Sequence, residues 1–160
     1  MLRQIRGRHI LIEGFLQQIG SCISQSECAS CLAICCDEKY CRESTDSSFL
    51  RYILGTQAQE YDPIVGWHRN DTGCTLKYGR PFVCYEYFCS RFRDTSGVSN
   101  LGNLARLFRQ CYAKALGSRH ILAVDKLQDI SAGKLATILF KLERVEELAR
   151  AALQGTRRQT

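Results

Sequence analysis

The sequence predicts one small, mainly α-helical domain that includes an irregular, cysteine-rich segment. Three observations lead to this class: apolar residues recur at helical spacing at both ends of the chain, the middle shows no sustained period, and 10 of the 160 residues are cysteine. A chain of this length buries about 70% of the surface that its unfolded form exposes, so residues 1–160 suffice for one core. The 45% hydrophobic and 24% charged content is typical of a globular protein rather than a disordered or fibrous one.

The N-terminal region, residues 3–25, is predicted to form an amphipathic helix. Its apolar stripe, with residues three or four positions apart, consists of Ile5, His9, Ile12, Leu16, Ile19 and Ile23. We expect His9 to be a partly buried residue of this face and Cys22, beside the stripe, to be a packing residue. Charged residues such as Glu13 interrupt the apolar run, so the region lacks a signal-peptide core. We therefore expect a cytoplasmic protein with no membrane segment.

The middle of the chain combines one short predicted helix with an irregular stretch. The helix covers residues 47–54, where Asp46 or Ser47 can cap the sequence SFLRYIL and Gly55 can end it. Residues 56–99 contain both prolines, several glycines and scattered aromatic residues without a period, which predicts loops. Such a segment needs something other than backbone pairing to hold it in place.

The C-terminal region, residues 100–153, is predicted to contain two amphipathic helices. The first runs from a cap at Asn100 to residue 116, and Cys111 lies on its apolar face as a packing residue. The second follows Ser131. Its apolar face consists of Leu135, Ile138, Leu142, Val145, Ala149 and Ala152. Residues 120–124 fit either a short strand or another helical turn.

The stretch CASCLAICC, residues 28–36, places four cysteines in nine positions: Cys28, Cys31, Cys35 and Cys36. Cytosolic thiols are kept reduced, and clustered ones bind metal more often than they form disulfides. A disulfide scaffold is the less favoured alternative. The even count of ten cysteines permits it, but the adjacent Cys35 and Cys36 bridge poorly to each other.

The spacing of this first group limits how it can bind one ion. Two thiolates on one zinc lie about 4 Å apart, whereas seven helical residues, the separation of Cys28 and Cys35, span about 10 Å. A single regular helix therefore cannot bring both to one zinc. Three alternatives stay open: the segment bends into turns, only some of the cysteines share an ion, or the ion is a polynuclear cluster.

A second group lies in GCTLKYGRPFVCYEYFC, residues 73–89. The predicted metal ligands of the two groups together are Cys28, Cys31, Cys35, Cys36, Cys74, Cys84 and Cys89. Joining the groups through metal would attach the irregular segment to the helical part of the chain. Cys41, five positions after Cys36, is undecided. Arg80 can stabilise nearby thiolates, or it is an ordinary surface arginine. The aromatic residues expected to exclude water from the site are Tyr78, Phe82, Tyr85, Tyr87 and Phe88.

With both groups in view, the sequence resembles the YkgJ-type cysteine-cluster family, also described as CxxCxxCC or zinc- or iron-chelating domains. The resemblance covers residues 28–92. The more specific part is the second stretch, in which the family's tyrosine, Arg-Pro and cysteine core is matched by Tyr78, Arg80, Pro81 and Cys84, between Cys74 and Cys89. Two spacings differ: three residues separate Cys31 from Cys35, and one separates Tyr78 from Arg80.

The resemblance implies a metal-chelating protein that holds an iron–sulfur cluster, such as 4Fe-4S, or zinc. A similar cluster in some flagellin lysine methylases favours iron–sulfur. Two alternatives stay open: a structural zinc module for protein or nucleic-acid interaction, and an enzyme or redox auxiliary that uses the cluster. The net charge of +6 permits nucleic-acid binding, but thiolate ligands would lower that charge, and we do not expect such a partner. No catalytic triad, phosphate loop or nucleotide fingerprint supports the enzyme.

Overall fold

Long helices at the N-terminus and in the C-terminal half provide most of the fold. The computed structural model describes residues 1–24, 38–69, 73–86, 98–116 and 130–157. In chain order its elements are α1 (Leu2–Ser24), α2 (Glu38–Asp46), α3 (Ser48–Leu54), a 3-10 helix (Gly55–Glu60), β1 (His68–Arg69), β2 (Gly73–Cys74), α4 (Val83–Glu86), α5 (Val98–Leu116) and α6 (Ala132–Arg157). The predicted class, a mainly helical single small domain, is confirmed.

Helix α1 packs along both α6 and α5, and the main core lies between these three helices. The predicted stripes supply the contact. From α1 and α6, the buried core residues are Ile5, Ile12, Leu16, Ile19, Leu135, Ile138, Leu142, Val145, Ala149 and Leu153. Helix α5 adds an aromatic pair, Phe108 and Tyr112, both fully buried. The 3.6-residue period thus identified the faces that meet in the core.

Charged side chains join α1 to α6 at the edge of this core. Arg8 of α1 donates hydrogen bonds to Glu143, at 2.9 Å, and to Glu146, at 2.5 Å. Glu146 is largely buried, and its other oxygen accepts from Arg150 at 2.7 Å. Because one guanidinium contacts two carboxylates on successive turns of α6, the network fixes how α1 lies along that helix.

Helix α3 begins and ends where the sequence predicted. The Ser47 side chain accepts a hydrogen bond from the Leu50 amide at 3.2 Å, which makes Ser47 rather than Asp46 the N-cap. At the C-terminal end, Gly55 adopts a φ of +60° and donates its amide to the Arg51 carbonyl. The turn is one that glycine adopts without strain.

The long C-terminal helices extend slightly beyond their predicted bounds. Helix α5 begins at Val98, so Asn100 lies inside its first turn, and α6 continues to Arg157. Residues 120–124, for which strand and helix both remained open, lie outside the described residues. Among the described helices, not one combines the length and apolar character that crossing a bilayer requires.

The packing between α1 and α6 predicts that two nearby residues of α6 contribute very differently to the free energy of unfolding. Ile138 is 1% exposed and Phe140 is 73% exposed. We expect Ile138→Ala to lower the free energy of unfolding by about 2–5 kcal/mol, because it leaves a cavity in the core. Phe140→Ala, the matched control, should change it by no more than about 0.5 kcal/mol. Urea denaturation measures both, and equal effects would contradict this packing.

Candidate functional site

Two of the seven cysteines predicted as ligands lie in the described part of the chain. Cys74 ends β2 and is half-buried, and Cys84 is the second residue of α4 and is exposed. The predicted ligands outside the described residues are Cys28, Cys31, Cys35, Cys36 and Cys89. The structure therefore shows how the chain places Cys74 and Cys84 of the second group, and a metal site shared by the two groups stays a prediction.

Cys74 is positioned by a small hairpin that is fastened to a buried tryptophan. Cys74 pairs with His68 across the two short strands. Next to it, the amide and hydroxyl of Thr75 both donate to the Trp67 carbonyl, at 2.8 and 2.9 Å. The Trp67 indole is buried and donates to the Ser44 hydroxyl at 2.7 Å. The hairpin that carries Cys74 is thus attached to α2, the helix that follows the first cysteine group.

A buried carboxylate on α1 holds the loop between Cys74 and Cys84. Glu13 is fully buried. Its Oε2 accepts from the Gly79 amide at 2.5 Å, and its Oε1 accepts from the Arg80 amide at 2.9 Å and the Tyr85 hydroxyl at 2.9 Å. In all three bonds the Glu13 oxygens are the acceptors. We call this arrangement the Glu13 clamp.

The Glu13 clamp depends on glycine at the tip of the loop. Gly79 has a φ of +76°, a conformation that other residues adopt only with strain. A Cβ atom at this position would lie 3.0 Å from two side-chain carbons of Leu54. Gly79 therefore lets the loop approach α1 and α3 closely enough for its amide to reach Glu13.

His9, one turn before Glu13, is fully buried rather than partly buried as predicted. Its Nδ1 lies 2.7 Å from the Tyr112 hydroxyl, and its Nε2 lies 3.4 Å from Glu13 Oε2 without forming a hydrogen bond of good geometry. Aromatic rings surround the imidazole at centroid distances between 4.6 and 6.1 Å: Phe49, Phe82, Phe108 and Tyr112. The expectation failed because Tyr112, a polar partner 103 residues away, allows a polar side chain to lie inside the core.

The two phenols of this network stay protonated. Burial raises the pKa of Tyr112 well above its usual value, and the nearby Cys111 and Glu13 raise it further. Burial likewise raises the pKa of Tyr85, and the Glu13 charge adds to the effect. Tyr85 is therefore a hydrogen-bond donor to Glu13 over the whole physiological range.

The Arg80 side chain also stabilises the loop between Cys74 and Cys84, and it interacts electrostatically with both of these cysteines. Its Nε and Nη2 donate to the Leu76 carbonyl at 3.0 and 2.8 Å. Burial, the largest single effect, opposes the charged guanidinium, yet the pKa of Arg80 is raised because electrostatic interactions with surrounding acidic groups together outweigh it. In order of decreasing effect these acids are Tyr85, Cys74, Cys84 and Glu13. Two thiols ten residues apart thus lie within electrostatic reach of one guanidinium.

The described aromatic residues near Cys84, which were predicted to exclude water from the cysteines, pack in or against the main core. Phe82 and Tyr85 are buried in the main core, where the Phe82 ring lies 5.0 Å from the Phe108 ring. Tyr78 is half-buried against the same core, and Tyr87 and Phe88 lie outside the described residues. The described aromatics therefore anchor α4 and the preceding loop instead of excluding water from a metal.

The two cysteines predicted to be packing residues differ in burial. Cys111 lies in the main core, and its thiol donates to the Leu107 carbonyl at 3.3 Å, which confirms the prediction. Cys22 is half-buried near the end of α1, and its role stays a prediction.

The described donor atoms do not complete a metal site by themselves. Within residues 1–24, 38–69, 73–86, 98–116 and 130–157, there is no group of three or more His, Cys, Asp or Glu side chains placed to hold a metal ion. The thiol chemistry of Cys74 and Cys84 beside Arg80 fits thiolate ligands, but further donors must come from the rest of the chain. Comparison of the chain with protein-family models, curated proteins and solved structures finds no match.

The Glu13 clamp was not predicted from the sequence, where Glu13 served only as an interruption of an apolar run. The available signal was its place four residues after His9, which puts both on one helix face. Its partners are more than 60 residues away. Nothing local distinguished it from an ordinary charged helix residue.

An isosteric substitution of Glu13 tests whether the Glu13 clamp stabilises the fold. Glu13→Gln replaces an acceptor oxygen with an NH2 donor that faces backbone amides. We expect unfolding free energy to fall by at least about 2 kcal/mol, since each buried donor without an acceptor costs roughly 1–3 kcal/mol. Amide hydrogen exchange at Gly79 and Arg80 should also accelerate. Glu147→Gln, at an exposed pair with Arg144, is the control and should change neither.

Cys111 should resist thiol reagents in the folded protein. Burial raises the pKa of its thiol to about 12, so about one molecule in ten thousand is thiolate at pH 8, against about one in four for an ordinary thiol. We expect iodoacetamide to label Cys111 only after denaturation in urea, as measured by mass spectrometry of peptides. Rapid labelling of the native protein would show that the core around α5 opens.

Proposed function

We propose that this chain is a metal-binding protein in which the two cysteine groups together hold an iron–sulfur cluster or zinc. The proposal starts from the sequence: four cysteines in residues 28–36, three in residues 74–89, and the resemblance of both stretches to the YkgJ-type family. Clustered cysteines in a chain of this size are more typical of ligands than of disulfide staples.

The observation that carries the proposal is that Cys74 and Cys84 lie at the two ends of one loop held by Glu13 and Arg80, and that both interact electrostatically with the Arg80 guanidinium. A guanidinium near a thiol favours the thiolate, which is the form that binds metal. Arg80 is itself held by its bonds to Leu76 and by the Glu13 clamp. A fixed cation that interacts electrostatically with two thiols ten residues apart supports a common role for them.

Several contacts attach the chain around Cys74 and Cys84 to the helices. The Glu13 clamp, the hairpin on Trp67 and the buried Phe82 and Tyr85 hold it. The expectation that metal helps to attach residues 56–99 stays a prediction, and these contacts would act together with the metal. In the proposal, the second group offers preformed ligands, and the first group is drawn to them when metal binds.

The number of candidate thiols bears on which metal the site would hold. All-thiolate ligation suits both zinc and iron–sulfur clusters. Seven candidate ligands exceed the four that one zinc or one 4Fe-4S cluster requires, which leaves room for a cluster with spare thiols or for two ions. When bound, a cluster would supply electron transfer or a structural crosslink, and zinc would supply the crosslink alone. Arg80 would then offset part of the negative charge that the thiolates carry.

Metal analysis of the purified protein tests the proposal. We expect protein prepared without oxygen to contain iron and acid-labile sulfide, with a brown visible spectrum. Colourless protein with stoichiometric zinc would favour the structural zinc module instead. A folded protein that contains neither metal and has oxidised thiols would contradict the proposal. It would favour the alternative in which the cysteines form disulfides.

Ligand variants test whether the two groups act as one site. Cys31→Ser and Cys84→Ser should each remove most of the metal, because in the proposal the ligands of one site come from both groups. Cys111→Ala, a packing change in the core, is the control and should keep the full metal content at the modest cost in stability of a small core truncation. If Cys84→Ser keeps full metal while Cys31→Ser loses it, the second group is not part of the site.

A further inference from the structure

We propose that His9 positions the Glu13 carboxylate: the His9 Nδ1 accepts a hydrogen bond from Tyr112, and the His9 Nε2–H points at Glu13. His9 is then a positioning residue for the loop that the Glu13 clamp holds. This role concerns the loop itself, and it holds whether or not the cysteines at the two ends of the loop bind metal.

The hydroxyl proton of Tyr112 decides which nitrogen of His9 is an acceptor. Tyr112 is fully buried, and burial raises its pKa well above the usual value, so the phenol keeps its proton. In the described part of the chain its hydroxyl has one hydrogen-bond partner, His9 Nδ1, at 2.7 Å. If Nδ1 carried the ring proton, the buried phenol proton would have no acceptor, which is unfavourable. Tyr112 therefore donates to Nδ1, and the proton of the neutral imidazole lies on Nε2.

The two oxygens of Glu13 differ in the number of hydrogen bonds that they accept. Oε1 accepts two, from the Arg80 amide and the Tyr85 hydroxyl, whereas Oε2 accepts one, from the Gly79 amide. A carboxylate oxygen has about two lone-pair sites. Of the described side chains, His9 is placed to supply the second donor, because its Nε2 lies 3.4 Å from Oε2.

The surroundings of His9 strengthen this contact. At 3.4 Å it is longer than an ordinary N–H···O hydrogen bond, and the fully buried Nε2 has no other partner among the described residues. Aromatic rings enclose the imidazole, the nearest being Phe108 at a centroid distance of 4.6 Å. In such an apolar shell an N–H dipole attracts a carboxylate with little screening, whereas a bare nitrogen lone pair in the same place would repel it.

The donors therefore form a directed chain that crosses the core. Tyr112 of α5 donates to His9 of α1, His9 points its proton at Glu13 one turn later, and Glu13 accepts from the loop. A hydrogen bond that polarises its neighbour strengthens the next one in such a chain. The Tyr112 hydroxyl thus acts on the amides of Gly79 and Arg80 through two intervening side chains.

Nuclear magnetic resonance of the imidazole nitrogens in the wild-type protein tests where the ring proton lies. Long-range proton–nitrogen spectra distinguish the two neutral tautomers and the doubly protonated ring. The His9 signals are those that remain when His68→Gln and His120→Gln are combined, which leaves the core unchanged. We expect a bare Nδ1 and a protonated Nε2 at neutral pH. A proton on Nδ1, in a neutral or a doubly protonated ring, overturns the proposal.

Amide hydrogen exchange tests whether His9 acts through Glu13. We expect exchange at the two loop amides, Gly79 and Arg80, to accelerate at least about fivefold in His9→Leu, because Glu13 loses a donor. The rates are measured relative to the amide of Leu142, which is fully buried in α6 and reports opening of the whole core. His9→Gln keeps an N–H donor near the position of Nε2 and should restore most of the protection. Equal acceleration in both variants, or none in either, contradicts a positioning role.

Tyr112→Phe tests the first link of the chain, since it removes the hydroxyl and keeps the ring. We expect the two loop amides to exchange at least about twofold faster relative to Leu142. The matched control is Phe108→Leu, which changes packing against His9 without removing a hydrogen bond, and it should leave this ratio unchanged. The same ratio in both variants would show that packing alone connects α5 to the loop.

These readouts separate the role of His9 from the proposed function, because none of them uses metal. Wild-type protein that binds no metal, yet has His9 protonated at Nε2 and the expected exchange rates, contradicts the proposed function and leaves the role of His9 standing. Wild-type protein that binds metal but carries the His9 proton on Nδ1 overturns the role of His9 alone.

Discussion

The three hydrogen bonds accepted by the buried Glu13 carboxylate connect the helical core to the cysteine-bearing loop. One side chain of α1 holds the amides of Gly79 and Arg80 and the hydroxyl of Tyr85. A carboxylate in an apolar interior is stable only if its oxygens are well satisfied. The loop therefore stabilises Glu13 in the core as much as Glu13 positions the loop. Removing either partner leaves buried polar groups without hydrogen bonds, so the core and the loop depend on each other.

The same polar cluster also joins the helices. His9, one turn from Glu13, contacts Tyr112 of α5 while aromatic rings from α3, α5 and the loop before α4 enclose it. The polar groups have few alternative partners inside this aromatic shell, which makes their arrangement specific. A purely apolar core would tolerate small shifts between α1 and α5. The hydrogen bond between His9 and Tyr112 fixes the relative position of the two helices, and hence the place at which α1 presents Glu13.

The sequence predicted the parts of this structure that depend on short-range patterns. The stripes of α1 and α6 follow the helical period, and Ser47 and Gly55 mark the ends of α3 by local chemistry. Burial of His9 and Glu13 was not predictable in this way, because their partners lie about 60 to 100 residues further along the chain. Similarly, Phe82 and Tyr85 stand beside Cys84 in sequence but pack into the core. Their position in the sequence suggested that Phe82 and Tyr85 cover the cysteines. In the structure they attach α4 and the preceding loop to the core.

These anchors change how the proposed metal would act on the chain. If the second group had no structure of its own, metal binding would have to supply the free energy that orders residues 56–99. The Glu13 clamp and the Trp67 hairpin already order the described part of that segment. Ligands that are held in place lose less conformational entropy on binding, so more of the binding free energy remains to draw in the first group. In the proposed site, α1 thus contributes to metal affinity through Glu13, which holds the loop between Cys74 and Cys84.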